Sequence, residues 1–494
     1  MSAARVIVLI LALIVTGVGL SQLHGAQGAV EITSDRVGST PVSVYRQSGM
    51  GAGPVVVIAH GFAGSRPLMK PYALTLAQAG YVAVSFDFLG HGRHPDPMSG
   101  DVETNENTTQ LLMDQTAEVI NYALGLDGVD GRVALLGHSM ATDIIVRQAA
   151  RDPRVGPVVA ISMFSQAASE ATPRQLLMIT GEWEGVLRTE ALRVLRLVAP
   201  SAEEGANATS ASGEVVRRAV VAPMVEHIGV LYSKTGLRAA RDWLNDRFGR
   251  GSVGPVADMG LGIVLTLAGL VALAWPLSAL LTKGARPSAP TRTEFWIAAF
   301  IPAITTPLLL STFDTRVLPV LVADYLALHL ALYGGLTLLT LRGFGHRLGR
   351  LNGPAALAFS VFGIVIFGGI LDRYVVSFVP AGPRPLIVLA VALGAIPYMI
   401  GEARLLEAGH AGWARAFTAR TIFLASLAGA VALDFEQLYF LLIILPVIVL
   451  FFLIFGLIGG WIGRRTGSSL AVGLGAGTVL AWALAVTFPL FVAG

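Results

Sequence analysis

Val133-Ala134-Leu135-Leu136-Gly137-His138-Ser139-Met140-Ala141 is the stretch that decides the fold of the first half of this chain. Four apolar residues read as a strand covered on both faces, and the residues from Met140 to about Ala150 read as the helix that follows it. The turn between them is so tight that only small side chains fit at its edges, here Gly137 and Ala141, and it lifts the Ser139 hydroxyl clear of the sheet. The helix N-terminus aims its free amides at the same spot, where negative charge is stabilised. Ser139 is therefore a candidate nucleophile, and Met140 a candidate donor to an oxyanion.

Working outward, strand-like runs alternate with amphipathic helical segments. Ser43–Arg46, Val55–Ala59, Val82–Phe86, Val133–Leu136, Val158–Ser162, Leu176–Thr180 and Val215–Val221 predict strands. Pro71–Ala79, Thr108–Leu124, Met140–Arg151, Thr189–Val198 and Val230–Arg247 predict helices. Such alternation builds a doubly wound, mostly parallel α/β sheet. The small polar run Ala206–Gly213 reads as a loop.

The second half is different. Residues 256–494 form a succession of long apolar stretches, and the whole chain is 54% hydrophobic and only 14% charged, against about 25% in soluble proteins. The expectation is an integral membrane protein whose second domain is an all-α bundle. About eight spans fit, near residues 256–281, 295–312, 317–341, 354–371, 385–401, 421–434, 437–460 and 468–492, each near the ~20 residues a crossing helix needs. Residues 1–29 hold one further apolar run behind Arg5, either a signal peptide or a retained anchor, with the anchor preferred. Residues 30–250 are then the α/β domain, with Ser252-Val253-Gly254-Pro255 ending it, and residues 256–494 the helical one.

Charge orients the spans. Lys283, Arg286 and Arg292, then Arg342, Arg347 and Arg350, then Arg404, Arg415 and Arg420, then Arg464 and Arg465 share one side. The other side carries only Arg316, Arg373 and Arg384, beside Asp314, Asp372, Asp434 and Glu436. The positive-inside rule makes the first group cytoplasmic, so the α/β domain is expected outside and Arg5 inside. The net charge of +3 is thus explained by topology, and no nucleic-acid partner is expected. The absence of cysteine excludes disulfides, thiolate metal sites and a cysteine nucleophile; no metal or cofactor is expected.

Five short motifs fall at the ends of the expected strands: His60-Gly61-Phe62-Ala63, Asp87-Phe88-Leu89-Gly90-His91-Gly92, the turn at Ser139, Gly181-Glu182-Trp183-Glu184, and Glu226-His227. In this order the region from about Val30 to Gly249 resembles the α/β-hydrolase fold, near its peptidase S33-like and dienelactone-hydrolase-like branches. The resemblance implies a serine hydrolase with Ser139 as nucleophile and His227 as general base. It implies an acid after a late strand, for which Glu184 is preferred and Glu182 is the alternative, and an oxyanion hole from the backbone N–H groups of Phe62 and Met140. His60 would hold its loop. His91 and His138 are structural in this reading, and Asp143 is a helix-start residue.

Two departures stand out. Ala141 replaces the usual second glycine, and a glutamate replaces the commoner aspartate. The segment between the strands at Val158–Ser162 and Leu176–Thr180 is too short to hold a cap, which leaves the site open unless the helical domain covers it. The expected activity is hydrolysis of an ester, lipid-like or otherwise apolar, outside the cytoplasmic membrane. Acyl transfer with the same residues, peptide cleavage, and a catalytically silent ligand-binding domain of a transporter or sensor are the alternatives. Asp324 and His329 are the ionisable residues within a span, with Arg316 and Tyr325 as candidate partners respectively; a satisfied structural pair is favoured over a proton or substrate path.

Overall fold

The computed structural model describes residues 2–99, 105–251, 254–313 and 322–491. Ser252 and Val253, Asp314 and Arg316, and the ends of the expected 317–341 and 468–492 spans lie outside the described residues. An N-terminal helix α1 (Ala3–Gln27) leads into nine strands: β1 (Val30–Val37), β2 (Thr40–Gln47), β3 (Gly53–Ala59), β4 (Val82–Phe86), β5 (Val129–His138), β6 (Val155–Ile161), β7 (Gln175–Gly181), β8 (Asn207–Thr209) and β9 (Val216–Ala222). Between and after them run α2 (Lys70–Gln78), α3 (Asn105–Leu124), α4 (Met140–Arg151), α5 (Gly185–Arg196) and α6 (Lys234–Arg247).

The strands form one sheet in the order β1-β2-β4-β3-β5-β6-β7-β9-β8. Pairing is parallel from β4 through β9 and antiparallel at both flanks, a mixed sheet of the α/β-hydrolase-like kind. β3 and β4 are buried along their whole length, and β7 from Leu176 onward, because helices cover both faces. One apolar layer includes Val56, Ile58, Tyr72, Leu136, Ile179 and Leu244. The other includes Val57, Val84, Leu135, Ile145, Met178 and Val194. Alternate residues of each strand feed alternate layers, as the period of two requires. Two strands escaped the sequence reading. β1 carries mostly polar, exposed residues, and β8 is three residues inside the expected loop.

Among the described residues, nine helices are long and apolar enough to cross a membrane. Eight follow the sheet: Gly260–Leu280, Arg292–Leu310, Ala323–Gly343, Gly353–Tyr374, Arg384–Leu405, Trp413–Leu433, Leu441–Thr466 and Ser469–Thr487. The ninth is α1, which packs along Gly260–Leu280. The approach depends on missing side chains: a Cβ on Gly19 would collide with Thr266, and one on Gly269 with Thr16. Small residues let two apolar helices meet at backbone distance.

The helical bundle has two unlike ends. At one, Arg286 and Arg415 bind the Glu407 carboxylate at 2.7 and 3.1 Å, Arg404 donates to Ser288 and the Arg347 carbonyl, and Arg5 lies over the Trp275 ring. Arg420 sits inside the Trp413–Leu433 helix, not in the connection, and donates to Glu402 at 2.7 Å. The sheet docks on the opposite end. There Arg93 pairs with Asp372 at 2.5 Å, Arg384 donates to the Gly90 carbonyl at 2.9 Å, and the Ser377 N–H donates to Ser65 Oγ at 2.8 Å. The last described residues join this contact: Met98 N–H donates to the Leu490 carbonyl and Leu490 N–H to the Gly90 carbonyl, both at 2.8 Å.

Within the bundle, His329 is fully buried and meets Ser426 Oγ at 3.2 Å. The Ser426 hydroxyl proton goes to the Ala303 carbonyl at 2.8 Å, so its oxygen is left to accept from His329 Nε2. Tyr325 makes only a ring contact with His329, centroids 5.8 Å apart; Ser426 is the polar partner. Asp324 is buried in the first turn of the Ala323–Gly343 helix, its carboxylate accepting the Tyr325 N–H at 2.7 Å.

Candidate active site

Every residue proposed for chemistry sits at the carboxyl end of a parallel strand or just beyond it, where an open α/β sheet presents its crevice. β5 ends at His138, and Ser139 follows at φ 54°, ψ −120°, a strained backbone for a residue with a side chain. The strain is held in place on both sides: the Ser139 N–H donates to the Ile161 carbonyl at 2.9 Å, and its carbonyl accepts the Thr142 N–H at 2.8 Å. Small neighbours permit the turn. A Cβ on Gly137 would stand 3.1 Å from the Ala141 methyl, so an alanine is accommodated at 141 because residue 137 is glycine.

Ser139 Oγ lies 2.9 Å from His227 Nε2, and His227 Nδ1 lies 2.6 Å from Glu184 Oε1. Glu184 Oε2 accepts two further hydrogen bonds, from the Gly181 N–H at 2.6 Å and the Ser162 hydroxyl at 2.9 Å. Burial pushes the Glu184 carboxyl upward, but the hydrogen bonds from His227, Gly181 and Ser162 outweigh it and hold the group below its ordinary value. Its charge therefore persists at neutral pH. The Glu184 side chain is 4% exposed while that of His227 is 41% exposed, so water can reach the imidazole but not the carboxylate behind it. Glu182 is turned elsewhere: its carboxylate accepts the Met224 N–H at 2.7 Å. Of the two candidate acids, Glu184 is the one beside the imidazole.

Phe62 and Met140 both line the cavity that contains Ser139 and His227. Met140 is the first residue of α4, so its N–H belongs to the helix-terminal amides that have no intrahelical acceptor. The Phe62 loop is drawn against Ser139 by Gly61, where an added Cβ would meet Ser139 Cβ and His138 Nδ1 at 3.0 Å.

The other histidines are framework. His60 Nε2 accepts the Phe88 N–H at 3.1 Å, so Nδ1 carries the proton and donates to the Gly61 carbonyl at 2.8 Å. His91 Nδ1 lies 2.8 Å from the Leu89 carbonyl. His138 Nε2 lies 3.0 Å from the carbonyl of His227, so it donates there and braces the loop that carries His227. Asp143 lies in the first turn of α4 and accepts from Ser165 at 2.6 Å and Arg147 at 2.7 Å. Asp87 is fully buried and accepts from the Arg66 N–H at 2.8 Å, Arg66 Nε at 3.1 Å and the Arg93 N–H at 3.0 Å, tying the segments that follow β3 and β4 together.

Burial depresses His60, His91 and His138, the last to about 3. In the fold all three resist protonation, whereas the unfolded chain protonates them below about 6.5. Below that pH the unfolded state binds more protons, so stability falls with pH. The expected result is a thermal midpoint that declines steadily as pH drops from 6.5 towards 4. His138→Gln, which keeps a donor for the His227 carbonyl, should make that decline shallower.

Two contributions were not foreseen. Ser162, at φ 53° after β6, supplies a donor to Glu184; its only sequence signal is its place at a strand end. Tyr439, Phe440 and Phe491, from the helical region, join the cavity wall; nothing local in the sequence pairs them with Ser139.

Comparison with known proteins adds the following. Residues 52–234 match the family model described as serine aminopeptidase, S33. An uncharacterised 31.7 kDa protein from the traX-finO intergenic region of Escherichia coli is 26% identical over 148 residues, covering 30% of this chain and 47% of that protein. Lipase 1 of Psychrobacter immobilis is 30% identical over 125 residues, covering 25% of this chain and 36% of the lipase. The chain thus spans half or less of the length of these curated relatives. Among solved structures, an epoxide hydrolase of Vigna radiata is 25% identical, covering 27% of this chain and 39% of its own, with a TM-score of 0.22. A dienelactone hydrolase of Anabaena variabilis is 19% identical, covering 44% and 96%, with a TM-score of 0.32. At the level of the family, residues 52–234 are similar to hydrolases of the serine type.

Proposed function

We propose that this chain is a membrane-embedded serine hydrolase that cleaves an apolar or lipid-like ester on the extracytoplasmic side. The observation that carries the reading is the unbroken hydrogen-bonded chain from Ser139 through His227 to Glu184. His227 Nε2 takes the Ser139 proton as Oγ attacks the ester carbonyl. The tetrahedral oxyanion is received by the Met140 and Phe62 N–H groups. Collapse breaks the bond to the alcohol, which leaves with the proton from His227, and the acyl group stays on Ser139. Water then enters past the exposed edge of His227, gives it a proton and attacks the acyl carbon. The acid departs and the proton returns to Ser139. Glu184 fixes the imidazole with Nδ1–H facing inward and supports its transient positive charge.

The side of the membrane is supported by charge. The sheet docks on the bundle end that carries Asp372 and Asp434, and the arginine-rich connections lie at the other end. Domain limits near residues 30–250 and 256–494, with residues 1–29 as a retained anchor, fit this arrangement and the packing of α1.

The chemistry is tested by mixing the purified full-length chain with a p-nitrophenyl ester under rapid-flow conditions. A burst of nitrophenolate approaching one equivalent per chain, followed by slower turnover, is the expected sign of an acyl-enzyme. Nitrophenolate release only in the presence of an added alcohol or amine acceptor would replace hydrolysis by acyl transfer. No Ser139-dependent release with any acceptor would favour a silent binding domain.

A further inference from the structure

Only residues 162–174 connect β6 to β7, which leaves no room for a cap of the chain's own α/β region. The site is nevertheless walled. Its cavity of about 910 Å³ is bounded on one side by Tyr439, Phe440 and Phe491. Tyr439 and Phe440 join the short Phe435–Leu438 turn to the Leu441–Thr466 helix. Phe440 stacks on Phe62 with ring centroids 5.1 Å apart and planes 26° apart. Phe491 approaches the other way, 6.5 Å from Phe62, and pairs through its backbone with Met98. Met98 and Met113 continue the apolar lining.

We propose that the helical region is the cap of this site, and that Phe440 and Phe491, with Met98 and Met113, receive a long acyl chain of the ester; this rests on the serine-hydrolase reading above. The volume lies at the upper end of the ~300–1,000 Å³ usual for small-molecule sites, far more than a short acyl group fills. Every methylene laid against these side chains leaves water, which favours binding, and the thioethers of Met98 and Met113 adapt to an irregular chain. The position of the cavity fits the same substrate. Phe435, Leu442 and Ile443, which flank Tyr439 and Phe440, are exposed at the ends of two helices apolar enough to cross a bilayer. Aromatic residues at that level mark the membrane–water boundary, where the acyl chains of lipids begin. Phe164, Trp183, Met224 and Ile228, beside the loops of Ser162, Glu184 and His227, are also exposed. Of these, Phe164 also lines the cavity.

The test uses the purified full-length chain in detergent and compares kcat/KM for p-nitrophenyl decanoate and p-nitrophenyl acetate. The wild type should favour the decanoate. Phe440→Ala and Phe491→Ala should each lower the decanoate-to-acetate ratio by about tenfold or more, since one side-chain step in an apolar pocket discriminates on that scale. A small fluorophosphonate labels Ser139 in parallel. Full labelling with an unchanged ratio overturns the acyl-wall proposal and leaves the hydrolase reading standing. A wild-type chain that neither labels nor turns over either ester overturns the hydrolase reading first. If an alanine variant fails to label, Phe440→Leu, which keeps an apolar group against Phe62, is read instead. A partial fall in its ratio supports the proposal, and no fall overturns it.

Discussion

Ser139→Ala is expected to lower kcat for ester hydrolysis by on the order of 10⁶-fold while the protein keeps its thermal midpoint. The size follows from how such groups work together. Without the nucleophile, His227 has no proton to take, and only the binding and oxyanion contributions survive. The fold should be indifferent to the change. The hydroxyl meets His227, the imidazole is solvent-accessible, and alanine meets the same backbone constraint at φ 54° with the Ile161 and Thr142 hydrogen bonds intact. Steady-state assays with a chromogenic ester, run beside a melting curve, check both halves. A loss below tenfold with the fold intact would place the nucleophile elsewhere.

Glu184→Gln is the second large effect, a fall of about 10⁴-fold in kcat. A carboxylate can only accept, so it requires His227 Nδ1 to carry the proton and leaves Nε2 free to take one from Ser139. A glutamine can turn its amide NH₂ toward Nδ1 and select the opposite tautomer, with Nε2 protonated and useless as a base. The same exchange in a Ser-His-Asp enzyme costs about 10⁴. Glu182→Gln makes the control. Its oxygen accepts the Met224 N–H, an interaction glutamine can repeat, so activity should stay within about threefold. The reverse ranking would make Glu182 the acid. A milder case is Ser162→Ala, which removes one donor from the buried Glu184 oxygen; with the Gly181 and His227 hydrogen bonds kept, the loss of one such bond should lower kcat by no more than about tenfold in the same steady-state assay.

Much of this arrangement is legible along the chain because it is local. The turn at Ser139 needs small residues within two positions, and the apolar strand and amphipathic helix flanking it declare themselves by their periods. The motifs after β3, β4, β7 and β9 are each short enough to be read in place. The eight later apolar stretches are likewise a matter of composition, and their limits in the structure stay within six residues of the expected ones except at Trp413–Leu433, which begins eight residues earlier. Arg415 and Arg420 caused that difference. They look like loop charges until their carboxylate partners, Glu407 and Glu402, are seen to meet them.

What could not be read depends on distance or on weak patterns. β1 places mostly polar residues on an exposed flank and offers no apolar period, so tertiary pairing with β2 decides it. The choice between Glu182 and Glu184 turns on which side chain points into the sheet after Gly181, two positions apart in a tight turn. The wall formed by Tyr439, Phe440 and Phe491 joins residues some 300 positions from Ser139. Each of these looks in sequence like one more apolar residue of a spanning segment.

The most direct test of the central claim is labelling of intact cells or spheroplasts with a membrane-impermeant fluorophosphonate, followed by identification of the modified peptide. The predicted result is a single adduct on Ser139, formed without permeabilisation and absent from Ser139→Ala. No adduct on Ser139 even in permeabilised membranes would contradict the serine-hydrolase account, and an adduct formed only after permeabilisation would contradict the proposed side of the membrane.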